Sequence, residues 1–566
     1  MAKLQKEYDV IVVGGGINGL ACAAYLQKSG LRCAVFERLS ECGTQCCSEE
    51  LLHPGVRVNL CANWMVNLHS PAYDELEMER FGLEMLPSSE WALFYPTRRD
   101  KSGVLCHSWD ARGTYQAWQR INKHDAEVFR KISSYIAPRL AGWLDASIFK
   151  PPSAEAGMKV IQDLKGCPDL PSNLATMTTE QLADELFQDD RIKSHYYAMN
   201  LLCDFDPLQP GFAAGSLIMG PFTTHMIYQS AIARGGPHAL THALCRCFVH
   251  YGGSIFTNCP VTKIIVENGE AKGVVLSNYA VYPEAEVRAT KAVISDLTAV
   301  PTFKDLIGLD KLSKQAGDAI KSYTYDGMIL FTNFYGLKEP LDWSGAGYPK
   351  ELDRAYGFNF GLDKGIEDVK RGRADWKAHR LPDPPIVCGL SVQSYCFADP
   401  TQAPPGEHTL MTWACVTYDL NDYPAGAMAW DDIREEYGDK VEDLLAEYVP
   451  NIKTAKIDRY CETPLGYYRR NPSQIKGRPN ITKVPSQHGL NAPFPGCGAP
   501  RTPISKLYFI RYWGTSTTLD AGYRAAEAVA KDLGIRDKQD WWKVKIFEPL
   551  MSWYKRHNIQ SRWTVD

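Results

Sequence analysis

The chain has 566 residues and a net charge of −4, and 45% of its residues are hydrophobic while 23% are charged. These values are typical of a globular protein with enough residues for a large core, organised as two domains or one elaborated domain. The balanced charge, without blocks of one sign, argues against a nucleic-acid-binding surface. No apolar run approaches the roughly 18 residues of a membrane-spanning helix, and the short polar start leaves no room for a signal peptide. We therefore expect a cytoplasmic protein, either free or peripheral to the inner membrane face.

The first predicted element is a buried strand over Tyr8–Val13 that stops at a run of glycines. The sequence Gly14-Gly-Gly-Ile-Asn-Gly19 fits the pattern G-x-G-x-x-G, and the alanine-rich residues after it predict a helix. In this motif the first glycine permits a tight turn, the second lets the backbone approach a pyrophosphate, and the third allows close helix–strand packing. The phosphates lie at the helix N-terminus, where backbone amides and the helix dipole favour negative charge. The predicted contacts with a dinucleotide in this turn are Gly14, Gly16, Ile17, Asn18 and Gly19.

A second predicted strand, Arg32–Phe36, ends in an acidic residue, Glu37, which comes 18 residues after Gly19. An acid at about this spacing accepts hydrogen bonds from the adenosine ribose of a dinucleotide. The chain after Glu37 lacks the further strand–helix units of a nicotinamide dehydrogenase and runs instead into a turn of small residues. The predicted contacts in this second segment are Glu37, Arg38, Gly43, Thr44 and Gln45.

The next informative region begins with a predicted amphipathic helix over Gly235–Tyr251, which a glycine pair follows. Strands are predicted over Ser254–Thr257 and Cys259–Val266. The dipeptide Asn268-Gly269 then predicts a hairpin turn, because both residues readily adopt the positive φ angles that such a turn requires. Lys291–Ser295 is expected to rejoin the sheet.

Residue types that bind metals or carry redox chemistry occur in three groups. His238 and His242 lie four residues apart on the predicted helix, but no third ligand has supporting spacing, so we predict packing or surface histidines and no metal site. The cysteines lack the spacing of a zinc site or an iron–sulfur cluster, and all 17 are interpreted as buried free thiols. A redox-active thiol within the first cysteine group is the alternative. The two cysteine groups are Cys42, Cys46, Cys47 and Cys61, and then Cys245 and Cys247.

Near the C-terminus, Arg501–Gly534 is interpreted as a strand, a loop and an alanine-rich helix. Asp520 is the predicted N-cap of this helix and Gly534 its predicted C-cap. A helix that starts here can direct its first backbone amides at a bound ligand and stabilise negative charge on it. The predicted contacts in this region are Gly514, Asp520, Ala521 and Gly522.

Together, these regions resemble in order and spacing the phytoene desaturase-like FAD-dependent oxidoreductases, a group that includes carotenoid desaturases, carotenoid isomerases and retinol saturases. The resemblance spans nearly the whole chain and implies that the dinucleotide is FAD. It also implies that the backbone at Val261 caps the adenine, that the Ser295 region passes under the pyrophosphate, and that the last helix faces the flavin. The similarity is strongest over Val10–Leu20, Glu49–Pro96, Gly235–Ser295 and Arg501–Gly534.

The chain departs from the family pattern at two places. Thr44 stands where the family usually has a second glycine, and Thr515–Gly522 replaces the usual Pro-Gly-Gly-Gly loop before the last helix. The second departure indicates that the substrate or the re-oxidation partner differs from that of the carotenoid enzymes.

The implied fold class is α/β, with a Rossmann-like FAD-binding domain of the flavin amine oxidase or phytoene desaturase type. A mixed α+β substrate domain with a helical cap completes it, and residues from about Trp91 to His225 are expected to be mostly helical. The predicted FAD-binding domain comprises residues 1–90, 226–310 and 481–540, the substrate domain comprises 91–225 and 311–480, and 541–566 form a C-terminal extension.

The resemblance implies an oxidoreductase that desaturates, saturates or isomerises C–C and C=C bonds of a hydrophobic, isoprenoid or alicyclic substrate. The alternatives are a flavin amine oxidase that acts on C–N bonds and an FAD-bearing subunit of a hetero-oligomeric dehydrogenase. The electron acceptor is a quinone, a ferredoxin or O₂, and either a homo- or a hetero-oligomer is compatible with the sequence. Because the flavin carries the difficult step, few protein groups are needed, and the candidate acid–base residues are Asp204, Asp206, His225 and Tyr228.

The C-terminal extension interleaves aromatic and basic residues over Trp541–His557. Such a segment suits a lipid interface, with aromatic side chains at headgroup depth and cations near anionic lipid. Pro549 interrupts the helix, however, and the apolar residues do not form one clean face. Packing against the cofactor domain or a second subunit is therefore the favoured interpretation.

Overall fold

The computed structural model of the chain describes residues 3–151, 153–203, 205–227, 231–393, 395–478, 484–487, 489–510 and 516–565. Its two largest sheets have seven strands each, and α-helices pack around them. The strands are β1 (Glu7–Val13), β2 (Cys33–Phe36), β3 (Ser48–Glu49), β4 (Val58–Asn59), β5 (Met85–Pro87), β6 (Trp91–Thr97), β7 (Ser102–His107), β8 (Ala231–Ala233), β9 (Ser254–Phe256), β10 (Val261–Glu267), β11 (Glu270–Leu276), β12 (Glu286–Ser295), β13 (Ile329–Leu337), β14 (Gly357–Phe360), β15 (Val387–Val392), β16 (His408–Val416), β17 (Lys456–Glu462) and β18 (Leu507–Phe509). The α-helices are α1 (Ile17–Lys28), α2 (Ala72–Glu75), α3 (Ala111–Gln119), α4 (Lys123–Leu144), α5 (Ala154–Lys165), α6 (Thr179–Leu186), α7 (Asp190–Leu202), α8 (Ala213–Met219), α9 (Thr224–Ile227), α10 (His238–His250), α11 (Lys314–Lys321), α12 (Ile366–Lys377), α13 (Tyr395–Ala398), α14 (Trp430–Tyr448), α15 (Ile452–Ala455), α16 (Pro464–Arg470), α17 (Asp520–Asp532) and α18 (Glu548–Arg556).

The first sheet has the strand order β10-β11-β12-β1-β2-β9, and β18 pairs in addition with β12. Its central strands β12, β1, β2 and β9 are parallel, whereas β10 and β11 form an antiparallel hairpin. Because β1 is covered on both faces, its sequence is a nearly continuous apolar run. Val10 and Val12 join the apolar cluster that contains α1, while Ile11 and Val13 join the cluster under β10–β12. The predicted Rossmann-like α/β fold is confirmed.

The hairpin between β10 and β11 turns at the residues that the sequence indicates. Asn268 and Gly269 have φ angles of 51° and 75°, and Glu267 pairs with Glu270 across the turn. Two consecutive positive φ angles are the geometry of the two-residue hairpin turn that Asn-Gly favours.

The second sheet has the order β17-β13-β16-β15-β14-β6-β7. Strands β15 and β16 of this sheet lie within residues 311–480, where the sequence predicts part of a mixed α+β domain. The segment from Trp91, expected to be mostly helical, instead opens with the β6–β7 hairpin, which joins this sheet before the cap helices α3–α9 follow. That hairpin was missed because its apolar residues are nearly continuous and carry no alternating pattern. The residue ranges of the two domains stay a prediction.

The C-terminal extension packs on the protein. Trp542 and Trp553 are each 1% exposed, and the Trp553 indole donates a hydrogen bond to the Met85 carbonyl at 3.1 Å. The backbone N–H of Val544 donates to the carboxylate of Glu75, whose pKa burial raises to about 7. These contacts support the packing interpretation of the segment. Among the described residues, no helix combines the length and the apolar character needed to span a membrane.

Two neighbouring residues of α18 test this packing. Leu550 is fully buried, whereas the side chain of Met551 is 40% exposed. Leu550→Ala should lower the free energy of unfolding by about 2–5 kcal/mol, because it leaves a cavity under the helix, and Met551→Ala should change it by no more than about 0.5 kcal/mol. Urea denaturation followed by circular dichroism measures both values. If both substitutions were neutral while the native protein sedimented with anionic liposomes, the lipid-interface alternative would replace the packing interpretation.

Candidate functional site

The glycine-rich turn between β1 and α1 has the geometry of a phosphate-binding turn. Gly14 has a φ of 99°, which side-chain-bearing residues rarely adopt, and Gly16 is the N-cap of α1. A β-carbon on Gly19 would lie 2.7 Å from both the Gly14 carbonyl oxygen and the Asp296 carboxylate. The first and third glycines of the motif are therefore required by the fold itself, and Gly16, Ile17 and Asn18 form the start of the helix.

Two carboxylates at the ends of parallel strands bind the amides of this turn. Glu37, after β2, is 6% exposed, and its two oxygens accept hydrogen bonds from the backbone N–H groups of Gly15 (2.7 Å) and Leu39 (2.8 Å). Asp296, after β12, accepts a hydrogen bond from the Gly19 N–H at 2.9 Å. Sequence reasoning missed Asp296 as a site residue, although its position directly after a strand of the same sheet was the available signal.

The N-termini of α1 and α17 lie in contact. The Asn18 side-chain carbonyl accepts a hydrogen bond from the Gly522 N–H at 2.9 Å, and a β-carbon on Gly522 would lie 2.3 Å from the Asn18 backbone oxygen. The N-cap of α17 is Leu519, with a φ of 57°, so the prediction of Asp520 as N-cap was wrong by one residue. Gly534, at φ 64°, lies one residue past the C-cap Leu533.

The carboxylate of Asp520 is engaged inside the protein. It forms a buried ion pair with Arg524 one turn later, with 3.4 Å between Oδ2 and Nη2. The Arg524 guanidinium also donates to the Ile148 carbonyl at 2.7 Å, which ties α17 to the helical cap. Burial raises the pKa of Asp520 and lowers that of Arg524, and each charge offsets the desolvation of the other. Ala521 is buried beside them.

The loop after β2 lies between the glycine turn and α10 and contacts both. The Gly43 N–H donates to the Gly15 carbonyl at 3.0 Å, and Gly43 lies so close to Thr241 of α10 that a β-carbon would come within 2.4 Å of its hydroxyl. The Thr241 hydroxyl donates in turn to the Cys46 carbonyl at 2.9 Å. Small residues are needed here because two elements approach the loop from opposite sides.

The remaining predicted cofactor contacts are spread around the same sheet. Gln45 accepts a backbone hydrogen bond from Ala62, and the exposed Arg38 guanidinium donates to the Arg470 carbonyl at 2.6 Å. Thr44, which lies between Arg38 and Gln45 in the sequence, is partly exposed. Val261 begins β10, and Ser295 ends β12, where its buried hydroxyl is 2.7 Å from that of Thr302. Gly514 lies outside the described residues.

Two of the four acid–base candidates are described, and neither contacts the glycine turn. His225 is fully buried in the cap, its Nε2 is 3.2 Å from the Trp563 carbonyl oxygen, and burial lowers its pKa to about 4. Asp206 forms an ion pair with Arg373 at 2.6 Å near the surface. Asp204 and Tyr228 lie outside the described residues. The contacts of the first two are those of structural polar residues.

Residues Asn63 and Trp64, which sequence reasoning missed, connect α17 to the second sheet. The Thr517 hydroxyl, just before α17, donates to the Trp64 carbonyl at 3.1 Å. On the other side, the hydroxyls of Tyr356 and Tyr395 both donate to the Asn63 carbonyl, at 2.6 and 2.7 Å. The Trp64 and Tyr356 rings stack with 6.1 Å between centroids. Burial raises the pKa values of both tyrosines, so their hydroxyls stay protonated and their rings present apolar faces.

The structure joins two cysteine groups that the sequence keeps apart. The thiols of Cys42 and Cys245 are close enough to interact, and this interaction raises the pKa of Cys42 while lowering that of Cys245. The Cys42 sulfur also lies 2.6 Å from where a β-carbon on Gly15 would be. All 17 cysteines fall within the described residues and are free thiols, as interpreted from the sequence, but the interpretation that all are buried was wrong for Cys61, Cys203 and Cys245, which are partly exposed. Redox activity of this pair stays a hypothesis.

Known proteins with similar sequences or folds agree with these features. Residues 12–76 match the family model of an NAD(P)-binding Rossmann-like domain. The chain is 26% identical to a limonene dehydrogenase subunit of Castellaniella defragrans, over 95% of this chain and 96% of the relative. It is 22% identical to the all-trans-retinol 13,14-reductase of Danio rerio, over 87% and 77%. The solved cyclohexylamine oxidase of Brevibacterium oxydans shares the fold with a TM-score of 0.58 at 15% identity, over 93% of this chain and 99% of the oxidase.

These relatives are consistent with the resemblance to the phytoene desaturase-like oxidoreductases. The curated relatives align with most of this chain and over most of their own length. The protein is therefore an oxidoreductase, and its Rossmann-like domain is of a kind that suits a flavin or nucleotide cofactor.

The contact between α1 and α17 can be tested with two Gly-to-Ala substitutions. Gly522→Ala should lower the free energy of unfolding by about 1–3 kcal/mol, because the new methyl group must push the two helices apart. Gly142→Ala, in α4 with no atom within 4 Å of the added methyl, should be neutral or stabilise by up to about 1 kcal/mol. Thermal melts and the amount of co-purified cofactor measure both effects. Equal behaviour of the two variants would contradict the tight contact.

Proposed function

We propose that this protein is an FAD-dependent oxidoreductase whose cofactor binds at the paired N-termini of α1 and α17. The observation that carries the proposal is the contact between Asn18 and Gly522, which places two helix N-termini side by side next to Glu37. Each N-terminus favours negative charge. FAD offers one negative group to each helix, the pyrophosphate to α1 and the ring that becomes anionic on reduction to α17.

The donors and acceptors around this position match FAD. The Glu37 carboxylate accepts two backbone N–H groups, and since a carboxylate has about four acceptor positions it retains capacity for the ribose hydroxyls. We assign the adenine to the backbone at Val261 and the underside of the pyrophosphate to Ser295. Asp520 acts by holding the start of α17 through its ion pair with Arg524. The other proposed contacts are Gly14, Gly16, Ile17, Asn18, Gly19, Arg38, Gly43, Thr44, Gln45, Gly514, Ala521 and Gly522.

The proposed substrate is a hydrophobic isoprenoid or alicyclic molecule that gains, loses or moves a C=C bond. The aromatic residues between α17 and the second sheet support this class. The hydroxyls of Tyr356 and Tyr395 both donate their hydrogen bonds to the Asn63 carbonyl. What these rings can offer a ligand is therefore their aromatic faces and no free hydroxyl, which suits a hydrocarbon substrate. The names of two relatives, a limonene dehydrogenase subunit and a retinol reductase, point to the same class.

A bound flavin supplies hydride transfer to or from carbon. The chain's own residues then have to position the substrate, exclude water and hold the cofactor in place beside the substrate. Trp64, at 7% exposure, and Tyr356, fully buried, are suited to exclude water at this junction. The described acid–base candidates His225 and Asp206 have partners elsewhere, so we assign the chemical step mainly to the cofactor.

The assembly state is part of the proposal. One relative is named as a single subunit of a limonene dehydrogenase, which supports a hetero-oligomer in which a second chain contributes to turnover. The electron acceptor is proposed to be a quinone, a ferredoxin or O₂, and peripheral membrane contact stays a hypothesis that the buried C-terminal extension does not support.

The cofactor assignment predicts that the purified protein is yellow and releases one equivalent of FAD on denaturation. Gly16→Val should reduce bound FAD at least about tenfold, because its side chain occupies the space where the backbone approaches the pyrophosphate. Gly142→Val, at an exposed helical glycine without neighbours, is the matched control and should retain FAD. Chromatography of the heat-released nucleotide measures both. Release of FMN or NAD, or full FAD retention by Gly16→Val, would contradict the assignment.

The substrate class predicts which compounds exchange electrons with the protein under anaerobic conditions. Cyclic monoterpenes or linear isoprenoids should change the absorbance of the oxidised or dithionite-reduced flavin, whereas primary amines should leave it unchanged. Stopped-flow spectroscopy measures the change, and mass spectrometry identifies the product. Bleaching by amines alone would favour the amine oxidase alternative. If nothing reacts until a second chain is added, the protein is an FAD-bearing subunit.

A further inference from the structure

The structure brings together three potential metal ligands that are far apart in the sequence. Glu41 lies in the loop after β2, and His238 and His242 lie on the first turns of α10. The Glu41 Oε1 atom is 2.8 Å from Nε2 of His242 and 3.4 Å from Nε2 of His238. The two imidazole centroids are 4.2 Å apart, and one ligand atom from each residue lies within 4.8 Å of the others.

These distances fit a transition-metal ion with nitrogen and oxygen ligands. In a tetrahedral zinc site, ligands at about 2.0–2.1 Å from the metal lie about 3.4 Å from one another. The Glu41–His238 separation already has this value, and the Glu41–His242 hydrogen bond has to lengthen by only about half an ångström. Histidines four residues apart on a helix share one face, so the helix itself holds the pair.

We propose that Glu41, His238 and His242 bind one divalent transition-metal ion, with zinc as the best match and one coordination position open to water. Two imidazoles and one carboxylate are the ligand set of an open zinc site. The helix N-terminus disfavours a cation, and the negative charge of Glu41 offsets this. The Cys42 carbonyl oxygen also lies 3.2 Å from His238 Nε2, so metal binding requires this nitrogen to give up that hydrogen bond, with the ring proton carried by Nδ1 instead.

A metal ion bound by these three residues would cross-link the loop after β2 to α10. The same loop contacts the glycine turn through Gly43 and α10 through Thr241 and Cys46. The ion would add a third attachment, at the outer end where Glu41 and His242 are exposed. Metal binding should therefore stabilise the folded protein whether or not a dinucleotide is bound, because the ligands come from two elements that only the fold brings together.

The test uses the purified holoprotein after chelator treatment and gel filtration. Isothermal titration with zinc, checked by elemental analysis, should give one equivalent per chain. His242→Ala and Glu41→Gln should each weaken this affinity at least about tenfold, the loss that even outer-shell partners of a metal produce. His250→Ala is the matched control, because His250 lies exposed on the same helix outside the cluster. Saturating zinc should raise the melting temperature of the native protein and of His250→Ala only.

Cobalt distinguishes this site from the cysteines. The Co²⁺-loaded protein should show d–d absorption without a thiolate charge-transfer band, because none of the three ligands is a sulfur. Equal melting curves for the metal-free variants and the metal-free native protein show that the variants fold. Unchanged zinc affinity in His242→Ala, equal loss in His250→Ala, or a thiolate band would overturn the proposal.

Discussion

The contact between the N-termini of α1 and α17 is the constraint on which the rest of the structure depends. Asn18 uses its side-chain carbonyl to accept the Gly522 N–H, and its backbone leaves no space for a β-carbon at Gly522. The two helices come from opposite ends of the chain, so the parallel strands that carry them must be in register before the contact forms. Two positive helix ends held together are unfavourable without an anion, and this makes the position suited to a dinucleotide.

The loop after β2 depends on the same arrangement. It can lie under the glycine turn only because Gly43 leaves room for Thr241. The loop accepts a hydrogen bond from α10 through the Cys46 carbonyl and donates one to the turn through the Gly43 N–H. The predicted ribose acid, the Cys42 thiol and the proposed metal ligand Glu41 are therefore held on one short segment. A substitution of any of these groups should alter the geometry of the proposed cofactor position, because the segment is bonded to α10 on one side and to the glycine turn on the other.

The sequence predicted those features that local rules determine. The glycine turn, the Asn268-Gly269 hairpin and the strands of the first sheet follow from residue preferences over a few positions, and the structure confirms them. It could not predict contacts across long separations. Gly19 and Asp296 are 277 residues apart, and Glu41 and His242 are 201 residues apart. Without the fold, no spacing rule connects such pairs, so the sequence could not show that Glu41 lies beside the two histidines.

The departure from the family pattern at Thr44 has a simple conformational explanation. A glycine is required only where φ is positive or where a β-carbon has no space. In this loop both conditions fall on Gly43, with its φ of 98° and its contact with Thr241, whereas Thr44 is not among the described residues with positive φ. Threonine at position 44 therefore needs no glycine-like backbone conformation, and the residue is partly exposed.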